Sequence, residues 1–332
     1  MEEPHLFFSH FDTENGSLII STILQEILPC SMSERSMALQ VILKYSKRNL
    51  PIMKVVFSPR CLEFREPGHP ESPERVKHAH KLLVQKRYEF TEPSPCTEED
   101  LLRVHTRELM ESVQENSFFN FDCPNIPHIY DYARLSAGGA LLALDLSISD
   151  EGSFSLMRPP GHHASRSRLG GFCYFNNIAI AVAKALETCE KVAVIDFDCH
   201  HGNGTQAIFM GNERVLYVSW HQVPLYPGTG HESKSNCLNY PMRPGTDHEA
   251  FMRLFERGLE EVETFNPDLI AVSAGFDGYI GDPLSMLRFE KRTYLEIGEK
   301  IKSFDIPRFA VLEGGYGVEL PECILEFLQG FF

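Results

Sequence analysis

The stretch Ala193-Val194-Ile195-Asp196-Phe197-Asp198-Cys199-His200-His201-Gly202-Asn203-Gly204 decides the fold. An apolar run ends in a burst of polar groups and then in a glycine-rich turn. Successive side chains of a strand point to opposite faces. Asp196, Asp198 and His200 are therefore expected on one face, and Phe197 and Cys199 on the other. Aspartate is disfavoured inside strands, so two of them at i and i+2 need a reason. Two carboxylates and an imidazole converging at a strand end supply one, because they form half of a divalent-metal site. The plainer alternative is a strand that closes in a solvated acidic turn.

Outward from this stretch one pattern repeats. Runs rich in Val, Ile, Leu and Phe at 153–157, 191–198, 214–220, 268–274 and 308–313 are nearly continuous in hydrophobicity, as strands buried on both faces are. Helix-period stretches at 178–187, 206–210, 249–264 and 291–304 separate them, and 98–110 and 130–144 also read as helices, with Gly138-Gly139 predicting close helix packing. Strands alternating with helices imply an α/β domain, a parallel sheet with helices on both faces. Ligands of such sheets bind beyond the carboxyl ends of the strands. There the sequence places Gly161-His162-His163, Asp198 to His201, His221 with Tyr226-Pro227-Gly228, Gly275-Phe276-Asp277-Gly278 and Gly314-Gly315-Tyr316. One sheet edge would gather all five.

Composition narrows the function. The chain has 332 residues, 43% hydrophobic and 23% charged, enough for one large α/β domain. A formal charge of −15 argues against a grip on phosphate backbones, so no direct nucleic-acid binding is expected, and it suits cationic partners. The nine cysteines form no CxxC pair, no leader pattern is visible, and the apolar stretch 18–28 is too short and polar to span a bilayer. A cytoplasmic protein with reduced thiols and no membrane contact is expected. Gly202-x-Gly204-x-x-Ala207 imitates a dinucleotide fingerprint, but Asp196 and Asp198 would repel a phosphate there. The next strand also brings Trp220-His221 where an acidic residue about 20 positions on is needed. No GxxxxGK[ST] loop occurs.

Asp277 is the best candidate for a third oxygen ligand, held between Gly275 and Gly278 where the backbone must turn. Asp282 is next, although capping the turn Gly281-Asp282-Pro283 accounts for it. Two carboxylates and one imidazole with a position left for water describe a catalytic zinc-type site, and iron(II) fits the same set. His162-His163 after Pro159-Pro160-Gly161 offers a general base and a general acid near neutral pH; metal ligation by the pair is the competing reading. Tyr316 can donate to a developing oxyanion. The loop with Phe118, Phe119, Phe121 and Asp122 can form a substrate rim or simply pack. Residues 1–52 read as a helical extension, with helices near 17–28 and 34–45, ahead of a domain spanning 53–332. Packing and homo-oligomerisation are both open to that extension.

Together these motifs resemble the histone deacetylase and acetylpolyamine amidohydrolase family of the arginase–deacetylase fold. The likeness rests on Arg158 to Ala164, Gly170 to Asn177, Asp196 to Thr205, Tyr226 to Gly230, Ser273 to Asp277 with Gly281-Asp282-Pro283, and Glu313 to Tyr316, in family order. It implies a single three-layer domain with a mostly parallel eight-stranded sheet. It implies Zn2+ on Asp198, His200 and Asp277, with His163 as general base and acid and His162 as its electrostatic partner. Asp196 would support His162, and Asn203 would support His163. Asn at 203 implies a class II-like member with a less basic His163. Tyr316 would polarise the acetyl carbonyl, while Gly171, Phe172 and Tyr226 line a tunnel for an acetylated lysine side chain or an acetylated polyamine. K+ is implied near Asp196, Asp198, His200 and Ser219. A catalytically silent acyl-binding protein is the rival from another class. Two departures stand out: a shortened stretch from His231 to Leu238, expected to reshape the rim and weaken a second monovalent site, and Gly317 after Tyr316.

Overall fold

Short apolar runs supply the strands, and every pairing between them is parallel. The computed structural model describes residues 54–150 and 152–332. The helices expected near 17–28 and 34–45, and with them the extension 1–52, lie outside the described residues. The strands are β1 (Lys54–Val56), β2 (Glu89–Thr91), β3 (Ser153–Ser155), β4 (Val192–Asp196), β5 (Val215–Gln222), β6 (Cys237–Met242), β7 (Leu269–Ala274) and β8 (Arg308–Leu312). They form one eight-stranded sheet in the order β2-β1-β3-β8-β7-β4-β5-β6.

Alternation along the strands builds two cores. Ala193 and Ile195 of β4, with Ile270 and Val272 of β7, enter one; Val192 and Val194, with Leu269 and Ala271, enter the other. The first core is covered by α1 (Pro73–Gln85), α7 (His248–Phe265), α8 (Lys291–Lys302) and α9 (Leu320–Phe331), through residues such as Val76, Phe255, Ile297 and Phe327. The second is covered by α2 (Glu98–Leu102), α3 (Arg107–Gln114), α4 (Ile129–Asp150), α5 (Asn177–Ala185) and α6 (Asn203–Phe209), through Leu101, Val113, Ala140, Ile178 and Phe209. The result is the three-layer α/β architecture, with a wholly rather than mostly parallel sheet.

Several elements differ from their sequence expectation. The helix predicted over 98–110 is two helices, because two N-caps compete within it. Thr97 Oγ1 accepts from Asp100 N at 3.1 Å, and Thr106 Oγ1 accepts from Leu109 N at 3.3 Å. His105 is buried at the break, donating from Nδ1 to Ser165 O and accepting at Nε2 from Asn176 N. A Cβ on Gly138 would meet Ser94 O at 1.9 Å, and one on Gly139 would meet Met157 Cγ at 2.7 Å. That close packing is therefore against a loop and the end of β3, not against another helix. Strands β2 and β6 and helix α9 have no counterpart in the sequence pattern; β6 hides behind Asn239 and Pro241, and α9 opens directly on Leu320-Pro321. The shortened stretch 231–238 runs on to β6. Asn236 within it donates from Nδ2 to Phe209 O, Asn212 O and Val215 O at 2.9, 3.2 and 2.7 Å, at the edge where β5 begins, opposite the strand ends that carry the motifs. Among the described residues no helix is long and apolar enough to cross a membrane.

Candidate active site

Strand β4 ends at Asp196, so Asp198 and His200 lie beyond it and do not share a strand face with Asp196. Two side-chain turns replace the expected alternation. Asp196 Oδ1 accepts from Asp198 N at 3.2 Å, and Asp198 Oδ1 accepts from His200 N at 2.9 Å. This winding separates the two aspartates. Asp196 Oδ2 faces His162 Nδ1 at 3.1 Å and also accepts from the Tyr217 hydroxyl at 2.9 Å. Asp198 turns toward His200 and Asp277, with its Oδ1 also 3.9 Å from His162 Nε2.

His200 Nδ1 lies 3.1 Å from Asp198 Oδ1 and 2.9 Å from Asp277 Oδ2. The ligand atoms of Asp198, His200 and Asp277, together with Cys199 Sγ, lie within 4.8 Å of one another, and this is the one such cluster among the described residues. Ligand bonds of about 2.0–2.2 Å fit carboxylate and imidazole atoms at that spacing. Cys199 does not fit: it packs in the hydrophobic core, and burial beside Asp277 and Asp198 pushes its thiol well up, so it stays protonated. Asp282 is not in the cluster. Both carboxylate ligands are further pinned: Asp198 Oδ2 accepts from Gly314 N at 2.7 Å and Asp277 Oδ1 from Cys199 N at 2.8 Å. Glycine at 275 is needed for a reason other than a turn, since its φ is ordinary and a Cβ there would meet Asp198 Oδ2 at 2.1 Å.

The two histidines share a loop but not an environment. Glu313, fully buried just past the end of β8, accepts from Gly161 N at 2.7 Å and His162 N at 3.1 Å, and so fixes the turn. Burial opposes charge on His162, but Asp196, Asp198 and Glu313 outweigh it and push the imidazole up to about 10. His163 moves the other way. Burial first, then the charges of His162 and His200, hold it well below its ordinary value. Its Nδ1 lies 2.8 Å from Asn203 Oδ1. An amide oxygen only accepts, so Nδ1 carries the proton and Nε2 keeps a free lone pair. That hydrogen bond favours the charged form, so the low basicity expected from Asn203 comes from burial and neighbouring charge.

A cavity of about 200 Å³ connects these groups, lined by His162, His163, His200, Phe172, Tyr226 and Tyr316 among others. Gly171 has φ +54°, and a Cβ on it would meet His163 Cδ2 at 2.3 Å, so only glycine passes there. Tyr226 stands edge-on to His163 with ring centroids 5.0 Å apart, and Phe172 stands edge-on to Tyr316 at 5.7 Å. Burial keeps the Tyr316 hydroxyl protonated, well above its ordinary value. Asp122 also lines the cavity; on the same loop Phe119 and Phe121 are exposed, whereas Phe118 packs on Tyr174. Ser219 sits beside Asp196 in sheet register, with its hydroxyl 2.9 Å from His221 Nδ1.

Several supports escape the sequence reading. Glu313 and Tyr217 hold His162 and Asp196. Arg75 donates to Gly315 O and Glu313 O, with its guanidinium 4.5 Å over the Tyr316 ring. Arg158, fully buried, pairs with both carboxylate oxygens of Glu71 at 2.7 Å. Their only signal is the presence of ionisable residues inside otherwise apolar or Pro-rich runs.

Comparison with known proteins identifies a family and a fold. The sequence model of one family, described as the histone deacetylase domain, matches residues 69–330. A protein of Archaeoglobus fulgidus named as a probable deacetylase is 38% identical, over 80% of this chain and 81% of its own. The solved HDA15 HD domain superposes with a TM-score of 0.80 at 30% identity, covering 84% of this chain and 90% of that one. An acetylpolyamine aminohydrolase from Burkholderia pseudomallei superposes with a TM-score of 0.78 at 28% identity, covering 84% and 98%.

Proposed function

This chain belongs to the histone deacetylase family, and on that premise we propose that it hydrolyses the acetyl amide of a lysine-like amine, releasing acetate and the free amine. One observation carries the reading. Two adjacent imidazoles are driven apart in basicity, and the neutral one lines the same cavity as the Asp198–His200–Asp277 cluster and Tyr316. Pairs of titratable groups separated in this way mark acid–base assignments.

Asp198, His200 and Asp277 would hold Zn2+ or Fe2+, which when bound supplies Lewis acidity toward the acetyl oxygen and toward a water. His163 Nε2 takes the proton of the attacking water, while Asn203 keeps its ring in the tautomer that leaves this nitrogen free. His162, held charged by Asp196, stabilises the negative charge that builds beside it. Tyr316 donates its hydroxyl to the oxyanion. His163 then returns the proton to the departing amine nitrogen. Phe172 and Tyr226 flank an aliphatic stem, with Gly171 giving it room against His163. A K+ ion near Asp196, Asp198, His200 and Ser219 belongs to the same proposal; it rests on the register of Asp196 with Ser219.

An acetylated lysine side chain is the first substrate class. Acetylated polyamines are the second, favoured by the aminohydrolase likeness and by the charge of −15. Steady-state kcat/KM on an acetyl-lysine peptide and on acetylspermidine, with Zn2+ and with Fe2+, separates them. A chain carrying a full equivalent of metal that turns over neither would sink the hydrolytic reading.

A further inference from the structure

We infer that Asp282 is a positioning residue for Tyr316, holding the main chain on which the hydroxyl donor is mounted. This rests on the hydrolytic reading above. Asp282 is 7% exposed and belongs to the loop between β7 and α8. As a turn cap it needs one acceptor, and Oδ1 serves by accepting from Leu284 N at 2.9 Å. Its other oxygen leaves its own turn: Oδ2 accepts from Tyr316 N at 2.6 Å and Gly317 N at 3.0 Å, in the loop after β8.

That second contact matters because of what flanks Tyr316. Gly315, at φ +120°, and Gly317 are the residues least able to hold a backbone in one conformation. Among the described residues the Tyr316 hydroxyl has no hydrogen-bond partner; Arg75 lies over the face of its ring and Phe172 stands at an edge. Arg75 fixes the main chain ahead of the tyrosine through Gly315 O, at 2.5 Å. Asp282 fixes it at the tyrosine and after. The same loop is tied to a ligand residue, since Ser285 Oγ donates to Asp277 O at 2.5 Å. A single strap thus sets the spacing between Asp277 and the hydroxyl donor.

In Asp282→Asn one oxygen becomes an NH2 that must face either Leu284 N or the Tyr316 and Gly317 donors. The test is a double-mutant cycle on the metal-loaded enzyme with Asp282→Asn, Tyr316→Phe and both. Expected are a fall in kcat of about 10- to 100-fold for Asp282→Asn, KM within about threefold, unchanged metal content, and less than about a twofold further loss in the Tyr316→Phe background. Equal losses in both backgrounds, or an unchanged kcat, would overturn the assignment. Wild-type turnover separates this failure from that of the hydrolytic reading. A crystal structure of Asp282→Asn with Tyr316 unmoved would overturn it without reference to turnover. If Asp282→Asn does not fold, Asp282→Glu, which keeps the charge on a longer stem, takes its place in the same cycle with the same outcomes.

Discussion

Gly314→Ala should abolish the divalent site with a single methyl group. Gly314 has an ordinary φ, so alanine brings no backbone strain. A Cβ there would lie 2.2 Å from Asp277 Oδ2 and 2.6 Å from Asp198 Oδ2. Ordinary contact begins at 3.4 Å. The Asp277 oxygen must therefore retreat by about 1.2 Å, or the strand end must move as far, whereas ligand distances hold to roughly 0.2 Å. Retreat is blocked, because Asp277 is fully buried with its other oxygen pinned by Cys199 N. Movement of the main chain would break the 2.7 Å bond from Gly314 N to Asp198 Oδ2. The variant should lose bound zinc on dialysis against a competing chelator under conditions in which the wild type retains one equivalent. Turnover should fall by at least about 10³-fold, as expected when a metal and its charge stabilisation are both lost. Metal analysis and steady-state rates read this directly, and metal-free thermal unfolding checks that the fold survives. A Gly314→Ala variant with one tightly bound zinc and near wild-type rates would show that Asp198 and Asp277 do not form the site.

Three further outcomes follow from the geometry. Tyr316→Phe should keep its metal and lose about 10²–10³ in kcat, the usual cost of one oxyanion donor; full activity would remove Tyr316 from the chemistry. Glu71→Gln leaves the fully buried Arg158 guanidinium without its charge partner and should cost about 3–5 kcal/mol in urea unfolding, so a loss under about 1 kcal/mol would show the pair to be dispensable. Burial lowers His105 to about 4 in the folded chain against an ordinary value of 6.5. Protons then bind more readily to the unfolded state between these values, so stability from the neutral ring is complete above pH 6.5 and drains as pH falls toward 4. At pH 5.5 the drain is about 1.4 kcal/mol against about 0.2 at pH 7, so His105→Gln should shrink the difference in unfolding free energy between pH 7 and 5.5 by about 1.2 kcal/mol in urea titrations. An unchanged difference would mean that His105 titrates normally.

The central strands are legible because burial on both faces leaves an unbroken apolar signature, and the runs at 191–198 and 268–274 are of that kind. Edge elements are not. β2 is three residues long, and β6 carries Asn239 and Pro241, so neither has enough periodicity to register. The break at Thr106 is visible as a capping residue but is masked by the apolar period around it. In the site, the residues whose chemistry is explicit, His162, His163, Asp196, Asp198, His200, Asp277 and Tyr316, can be named as candidates from type and position, and the family resemblance sorts them into roles. Their supports cannot, because Glu313, Tyr217, Arg75 and the second oxygen of Asp282 act across 21 to 240 positions of sequence. The face-sharing of Asp196, Asp198 and His200 fails because aspartate side chains capture the N–H two residues on, a local bond that competes with the strand.

That capture is what divides the labour in the site. Had β4 continued through Asp198, Asp196 and Asp198 would have shared one face and repelled each other over a single charge. The turn instead sends Asp196 toward His162 and Asp198 toward His200 and Asp277. Glu313 adds a third carboxylate on the His162 side, while His163, one residue on, has the neutral amide of Asn203 at its Nδ1 and the imidazoles of His162 and His200 beside it. Negative charge therefore dominates around one imidazole, whereas burial and neighbouring positive charge dominate at the next. Where β4 stops, a boundary set by Asp196, decides which carboxylate faces His162 at hydrogen-bond distance, while the low basicity of His163 comes first from its burial.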